Sequence, residues 1–117
     1  TIGCTCFFFS VSDGERNYSV GIHGGLGFAR FYDENFANAS EAIRARDSYR
    51  EAQAMVIDRK IDIPLSFHTY NLNSLEKVNL PGGYKNLFEP DAWGQMINER
   101  LRSFAEFEKT SIYQKEN

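Results

Sequence analysis

The stretch from Asn38 to Lys60, followed closely by Ile63-Pro64, constrains the fold more than any other part of the chain. Asn38 suits a helix N-cap, and Glu41, three residues on, can reach back to the cap's own N–H. Ala42, Ala45, Tyr49, Ala52 and Val56 recur at steps of three and four, which puts them on one face of a helix. That face is mostly alanine, so it predicts close seating on a neighbouring layer. Pro64 cannot continue the helix, so the chain must change structure after Lys60.

The flanking segments read as strands. Residues 2–11 are apolar on both alternate faces, which predicts a central strand buried on both sides. Asp13-Gly14 is a turn signal, and Tyr18, Val20 and Ile22 then alternate with smaller or polar residues, so the two runs form a hairpin. Gly21, Gly24, Gly25 and Gly27 imply positive φ, a bulge or the close approach of another backbone. Residues 28–32, Phe-Ala-Arg-Phe-Tyr, suggest a third strand. Ile63, Leu65, Phe67 and Thr69 suggest a further one that Pro64 confines to an edge. Glu76–Leu80 is a weaker strand signal, and Pro81-Gly82-Gly83 is a turn that needs positive φ. Pro90 and Asp91 suit a helix start, and Trp93, Ile97, Leu101 and Phe104 carry its apolar stripe to about Lys109. Residues 110–117 read as a polar, frayed tail. The expected fold is α+β: one domain over 1–117, with an antiparallel sheet of three to five strands. One central helix packs on the sheet, and a second helix follows at the C-terminal end.

Composition narrows the function classes. The chain has 117 residues, 42% hydrophobic and 15% aromatic, which suits a folded core. Its net charge of −3 is spread along the chain, with no basic footprint for a phosphate backbone, so nucleic acid is not expected as a direct partner. No apolar run reaches the roughly 18–20 residues of a membrane span, no signal peptide is visible, and a Thr1 start suits a cytoplasmic protein. Cys4 and Cys6 would share one strand face, about 6–7 Å apart, beyond comfortable disulfide geometry. They are expected as small buried residues. Two thiols make no zinc site unless His23 and His68 join them, so neither a metal nor a cofactor is expected.

Several residues bear chemistry. His23-Gly24-Gly25 is similar to an esterase oxyanion loop, but the chain has no Gly-x-Ser-x-Gly nucleophile elbow. The Gly24–Gly27 stretch does not open a helix, so it is no dinucleotide fingerprint; an anion-binding loop is the alternative to a sharp turn. His23 and His68 sit opposite the main apolar positions of their strands. If those strands are neighbours, the pair can serve as general acid and base, with Asp33, Glu34 or Tyr70 nearby. Arg44, Arg46 and Arg50 lie on the expected solvent side of the central helix, where they offer a polar contact surface. Tyr84, after the Pro-Gly-Gly turn, is the best candidate for an exposed aromatic contact.

The glycine turn Gly24-Gly25-Leu26-Gly27, the capped start Asn38 with Glu41-Ala42-Ile43, and Ile63-Pro64 about one long helix later occur in a telling order. Over residues 5–67 this order resembles the HicB-type antitoxin domain, a small partial RNase-H-like fold. The resemblance implies a partner-binding, toxin-neutralising scaffold with no cofactor. Residues 68–117 show no ribbon-helix-helix or helix-turn-helix segment, so no operator binding is expected. The sequence therefore suggests a small non-enzymatic protein that binds and modulates another protein, of the antitoxin, immunity or phage-inhibitor type. One alternative is a small enzyme or ligand-binding domain using His23, His68 and the glycine loop. Another is a structural homo-oligomer subunit, with a homodimer as its simplest form.

Overall fold

A computed structural model of the chain describes residues 5–115, the side chain of Tyr70 excepted. It is a mixed α/β structure: strands β1 (Phe7–Ser12), β2 (Asn17–His23) and β3 (Ile63–Ser66), and helices α1 (Ala39–Val56), α2 (Ser74–Val78) and α3 (Ala92–Lys109). No helix among the described residues is long and apolar enough to cross a membrane. The chain divides into two compact units. The first comprises the chain up to Gly25 together with Arg59–Met96; the second comprises Leu26–Asp58 and the chain from Ile97 onward.

The first unit holds the sheet. β1 and β2 form the expected hairpin, with Phe7 opposite Ile22 and Ser12 opposite Asn17. Its turn closes on Asp13, whose Oδ1 accepts from the N–H groups of Glu15 (2.9 Å) and Arg16 (2.8 Å), while Gly14 takes φ +91°. This is the Asx turn that an Asp-Gly pair favours. β3 then pairs with β2 in parallel, Val20 opposite Ile63 and His23 opposite Ser66. The sheet is therefore not wholly antiparallel as expected. A parallel neighbour needs a crossover rather than a tight turn, and the long connection through α1 provides it.

The strand order β1-β2-β3 makes β2 central and β1 an edge, which corrects the reading of β1 as buried on both sides. Every residue of β1 except Phe8 is exposed. Phe8 lies against Trp93, ring centroids 5.6 Å apart, and Trp93 is wholly buried. The same indole lies over Gly21, where a Cβ would sit 3.0 Å from Trp93 Cζ3 and 3.1 Å from Ile61 Cδ1. Glycine is required there by close approach. Pro64 sits on the other edge strand, as a residue without an N–H should. Residues 76–80 are not a strand: α2 covers Ser74–Val78, entered through Asn73 at φ +52°. The Pro81 turn has its expected positive φ at Gly82 (+105°) and Gly83 (+58°).

The second unit holds α1. Asn38 Oδ1 accepts from Glu41 N at 3.0 Å, and Glu41 Oε2 reaches back to the N–H of Ala37 (3.3 Å), one residue before the cap. The buried line of the helix is Ala42, Arg46, Tyr49 and Gln53. The expected alanine face is thus rotated: Ala52 is exposed, and Arg46, expected at the surface, is only 2% exposed. A guanidinium can be buried here because acceptors surround it. Arg46 Nη1 donates to Ser111 Oγ (2.9 Å) and to the Tyr113 carbonyl (3.1 Å); Nη2 donates to the Phe31 carbonyl (2.7 Å) and to Asp33 Oδ1 (2.9 Å). Its Nε has no acceptor among the described residues. Phe107 and Phe36 lie 5.3 and 5.9 Å from the guanidinium carbon.

Residues 28–32 are not a strand either; they enter 3₁₀ turns at Ala29–Phe31 and Asp33–Asn35. In such a turn residues three apart align. Phe28 and Phe31 thereby both reach Phe104, with centroids at 5.5 and 5.6 Å. Phe31 also meets Tyr49 at 5.1 Å, and the Tyr49 hydroxyl donates to the Leu26 carbonyl at 2.9 Å. Burial holds the Tyr49 phenol at a pKa of about 12. After α3 the chain is held through this same cluster. Ser111 is buried and donates to Asp33 Oδ1, and Ile112 N donates to Asp33 Oδ2 at 3.0 Å.

Ala42→Leu should cost about 1–3 kcal/mol by overpacking, because Ala42 is wholly buried. Ala52→Leu should stay within about 0.5 kcal/mol. Chemical denaturation of both variants checks the rotated face, and equal losses would contradict it. A second test uses pH. The Ser111 hydroxyl, the Ile112 N–H and Arg46 hold the Asp33 carboxyl below its ordinary value. A carboxyl depressed in the folded state adds stability above its unfolded pKa, and that stability is lost as pH falls through the folded value. The denaturation midpoint should therefore fall less between pH 7 and pH 3 in Asp33→Asn than in the parent chain. Identical falls would show that Asp33 is not linked to folding.

Candidate functional site

Because β2 and β3 run parallel, their carboxyl ends meet at one edge of the first unit, His23 opposite Ser66. Open α/β sheets place ligands outside such ends. His23 is 3% exposed and its ring lies 5.5 Å from that of Trp93. Its Nδ1 accepts from the N–H of Gly25 at 3.0 Å, so the neutral ring carries its proton on Nε2. Its carbonyl accepts from Phe67 N at 3.2 Å. Gly24 follows, and a Cβ there would stand 2.3 Å from the Thr5 carbonyl oxygen. The first glycines of the loop thus serve a close backbone approach and a histidine contact. Leu26 is buried, and Gly27 has open space around its Cβ position.

His68 is exposed, just beyond β3. The Ser66 hydroxyl organises the turn that holds it. Ser66 Oγ accepts from Asn71 Nδ2 at 2.9 Å and from His68 N at 3.4 Å, and Asn71 N donates to the His68 carbonyl at 3.0 Å. One imidazole is therefore buried and the other displayed. His23 is thus packed against Trp93 in the core, and His68 is the more exposed of the two.

The other candidates are dispersed. Arg44 is exposed on α1, but Arg46 is buried in the Asp33–Ser111 cluster and is withdrawn from any contact surface. Arg50 is 40% exposed, ion-paired with Glu108 and with Asp47 (3.2 Å), and lies 5.1 Å over the Phe104 ring. Arg46 and Arg50 line one cavity of about 210 Å³ with Lys109, Lys115, Asp47 and Glu108. Each of these four cations has a carboxylate partner, so the cavity offers an anion no unpaired charge. Tyr84 is 51% exposed, as expected. Its hydroxyl donates to Asp13 Oδ2 at 3.1 Å, and Tyr18 donates to the same oxygen at 3.3 Å. The Arg16 and Glu15 amides, with help from both phenols, hold Asp13 at a pKa of about 2. The bond to Asp13 raises the Tyr84 phenol above its ordinary value.

Among the described residues no three His, Cys, Asp or Glu side chains converge to hold a metal. Cys6 is a partly buried free thiol, and Cys4 lies outside the described residues. A feature not singled out from the sequence is a row of exposed apolar side chains on β1: Phe7 (50%), Phe9 (45%) and Val11 (40%). Its signal was the run of apolar residues on both faces of residues 2–11.

No protein-family model matches the chain, and no curated protein matches it at a significant level. Among solved structures it is similar to the crystal structure of BJP-1, a subclass B3 metallo-β-lactamase of Bradyrhizobium japonicum, with a TM-score of 0.68 and 20% identity. The match covers 90% of this chain and 39% of that one. The chain thus spans less than half the length of the enzyme it matches. This likeness overturns the expectation of a small non-enzymatic binding protein of the antitoxin, immunity or inhibitor type, because the shared fold is that of part of an enzyme.

Proposed function

We propose that the chain forms part of an enzyme of the metallo-β-lactamase-like fold and that it brings His68 to that enzyme's site. The likeness over 90% of the chain at a TM-score of 0.68 carries this reading. The position of His68 supports it: an exposed imidazole just past the carboxyl ends of a parallel strand pair, on a turn tied down by Ser66 and Asn71. An imidazole can exchange a proton with a substrate and is the commonest protein ligand to metals.

The described residues do not fit a metal by themselves. They offer one exposed imidazole at this edge, where a zinc ion takes three or four protein ligands. No catalytic step is therefore routed through a metal. The part played by this chain is positional: β3 ends, the Ser66 hydroxyl fixes the following turn, and that turn carries the exposed residue His68.

Titration of the isotope-labelled chain with millimolar zinc, enough to populate weak contact with a single imidazole without a built metal site, followed by backbone amide NMR, tests the assignment. Shifts should concentrate at Phe67, His68 and Asn71 and vanish in His68→Ala. That variant should keep its stability to within about 0.5 kcal/mol, since the side chain is exposed. Shifts confined to the Asp47 and Glu108 region, or an unmoved His68 turn, would overturn the reading.

A further inference from the structure

We infer that His23 is a positioning residue for His68: its imidazole fixes the loop on which the His68 turn is seated. The inference deepens the preceding proposal and rests on reading His68 as the group this chain brings to an enzyme's site. The two residues are linked through the end of the β2–β3 ladder. Ser66 stands opposite His23, and Phe67 N then donates to the His23 carbonyl at 3.2 Å. His68 is the next residue. The direction of that carbonyl therefore sets where β3 releases the chain and where the turn begins.

Three observations assign that direction to the imidazole. First, the bond from Gly25 N to His23 Nδ1, 3.0 Å long, closes a ring of atoms that contains the carbonyl carbon of residue 23. It is the imidazole counterpart of an Asx turn, in which a side chain holds the backbone two residues on. Second, residues 24 and 25 are both glycine, with the widest backbone freedom of any residue. A bond that pins the peptide after His23 counts for more there than between ordinary residues. Third, Phe67 rests on the same loop a second time. A Cβ at Gly24 would stand 3.1 Å from Phe67 Cε2 and 2.3 Å from the Thr5 carbonyl oxygen, so the loop lies between residue 5 and residue 67. His23 combines the two properties this role needs. Its ring packs 5.5 Å from that of Trp93 at 3% exposure, and its Nδ1 is an acceptor. An imidazolium has no acceptor nitrogen, so the ring works in its neutral form.

Two variants separate acceptance from packing. His23→Asn can place its Oδ1 where Nδ1 stands, whereas His23→Leu packs against Trp93 and accepts nothing. Amide hydrogen exchange at Gly25 and Phe67 should quicken at least about tenfold in His23→Leu and stay within about threefold of the parent in His23→Asn. The His68 amide shift should move in the first variant and hold in the second. Gly25→glycolate, a backbone ester, swaps the one N–H for oxygen and leaves the ring packed. It should reproduce the changes at Phe67 and His68, and it supplies them if His23→Leu does not fold. An unmoved His68 amide once the Gly25 bond is gone, or equal quickening in the Leu and Asn variants, would overturn the assignment. These measurements use no zinc, and the zinc titration uses the parent chain, so either result can fail while the other stands.

Discussion

Trp93 can approach the middle of the sheet so closely only because residue 21 has no side chain. The indole approaches within 3.0 Å of where a Cβ would be, and its ring lies 5.6 Å from that of Phe8 on β1 and 5.5 Å from that of His23 at the end of β2. This contact sets the first unit. It closes one sheet face, buries the first histidine and leaves the second beyond the strand end. Burying a tryptophan contributes several kcal/mol, so the strand from which the first histidine projects is anchored to the core.

The second unit depends on a different device, a buried cation. Arg46 draws two backbone carbonyls, a hydroxyl and a carboxylate from two separate segments around one planar group. Such an arrangement is no bargain in free energy compared with an apolar core, since desolvation is costly. What it provides is registration. The turn at Asp33, the body of α1 and the chain after α3 are each bonded to the same guanidinium or its carboxylate. The aromatic cluster of Phe28, Phe31, Tyr49 and Phe104 fills the space beside it.

Much of this was legible in the sequence, wherever local chemistry decides structure. The Asn38 cap, the Asp-Gly hairpin, the Pro-Gly-Gly turn and the Trp93–Phe104 stripe all follow from nearest-neighbour rules. The misreadings share one cause, which is that distant partners decided the outcome. Position 46 was assigned to solvent because arginine is rarely buried, and its acceptors lie far along the chain. Residues 28–32 have strand composition but spend their rings on Phe104. Strand β1 is apolar on both faces, as a central strand would be, and it sits at an edge. His23 and His68 look equivalent in sequence, and only Trp93 separates their roles. The glycine loop announced close approach, and the Thr5 carbonyl is what approaches Gly24.

The parallel pairing of β2 with β3 has a consequence for how the sheet is made. The hairpin joins neighbours and can close within microseconds. The third strand joins His23 to Ser66 across the whole of α1. Closing that long loop costs entropy before any ladder bond repays it, and non-local pairings of this kind slow folding. Until β3 docks, β2 is itself an unpaired edge. Docking of β3 thus moves one of the sheet's two edges from β2 to the short, proline-bearing β3, and the sequence between the strands sets when that happens.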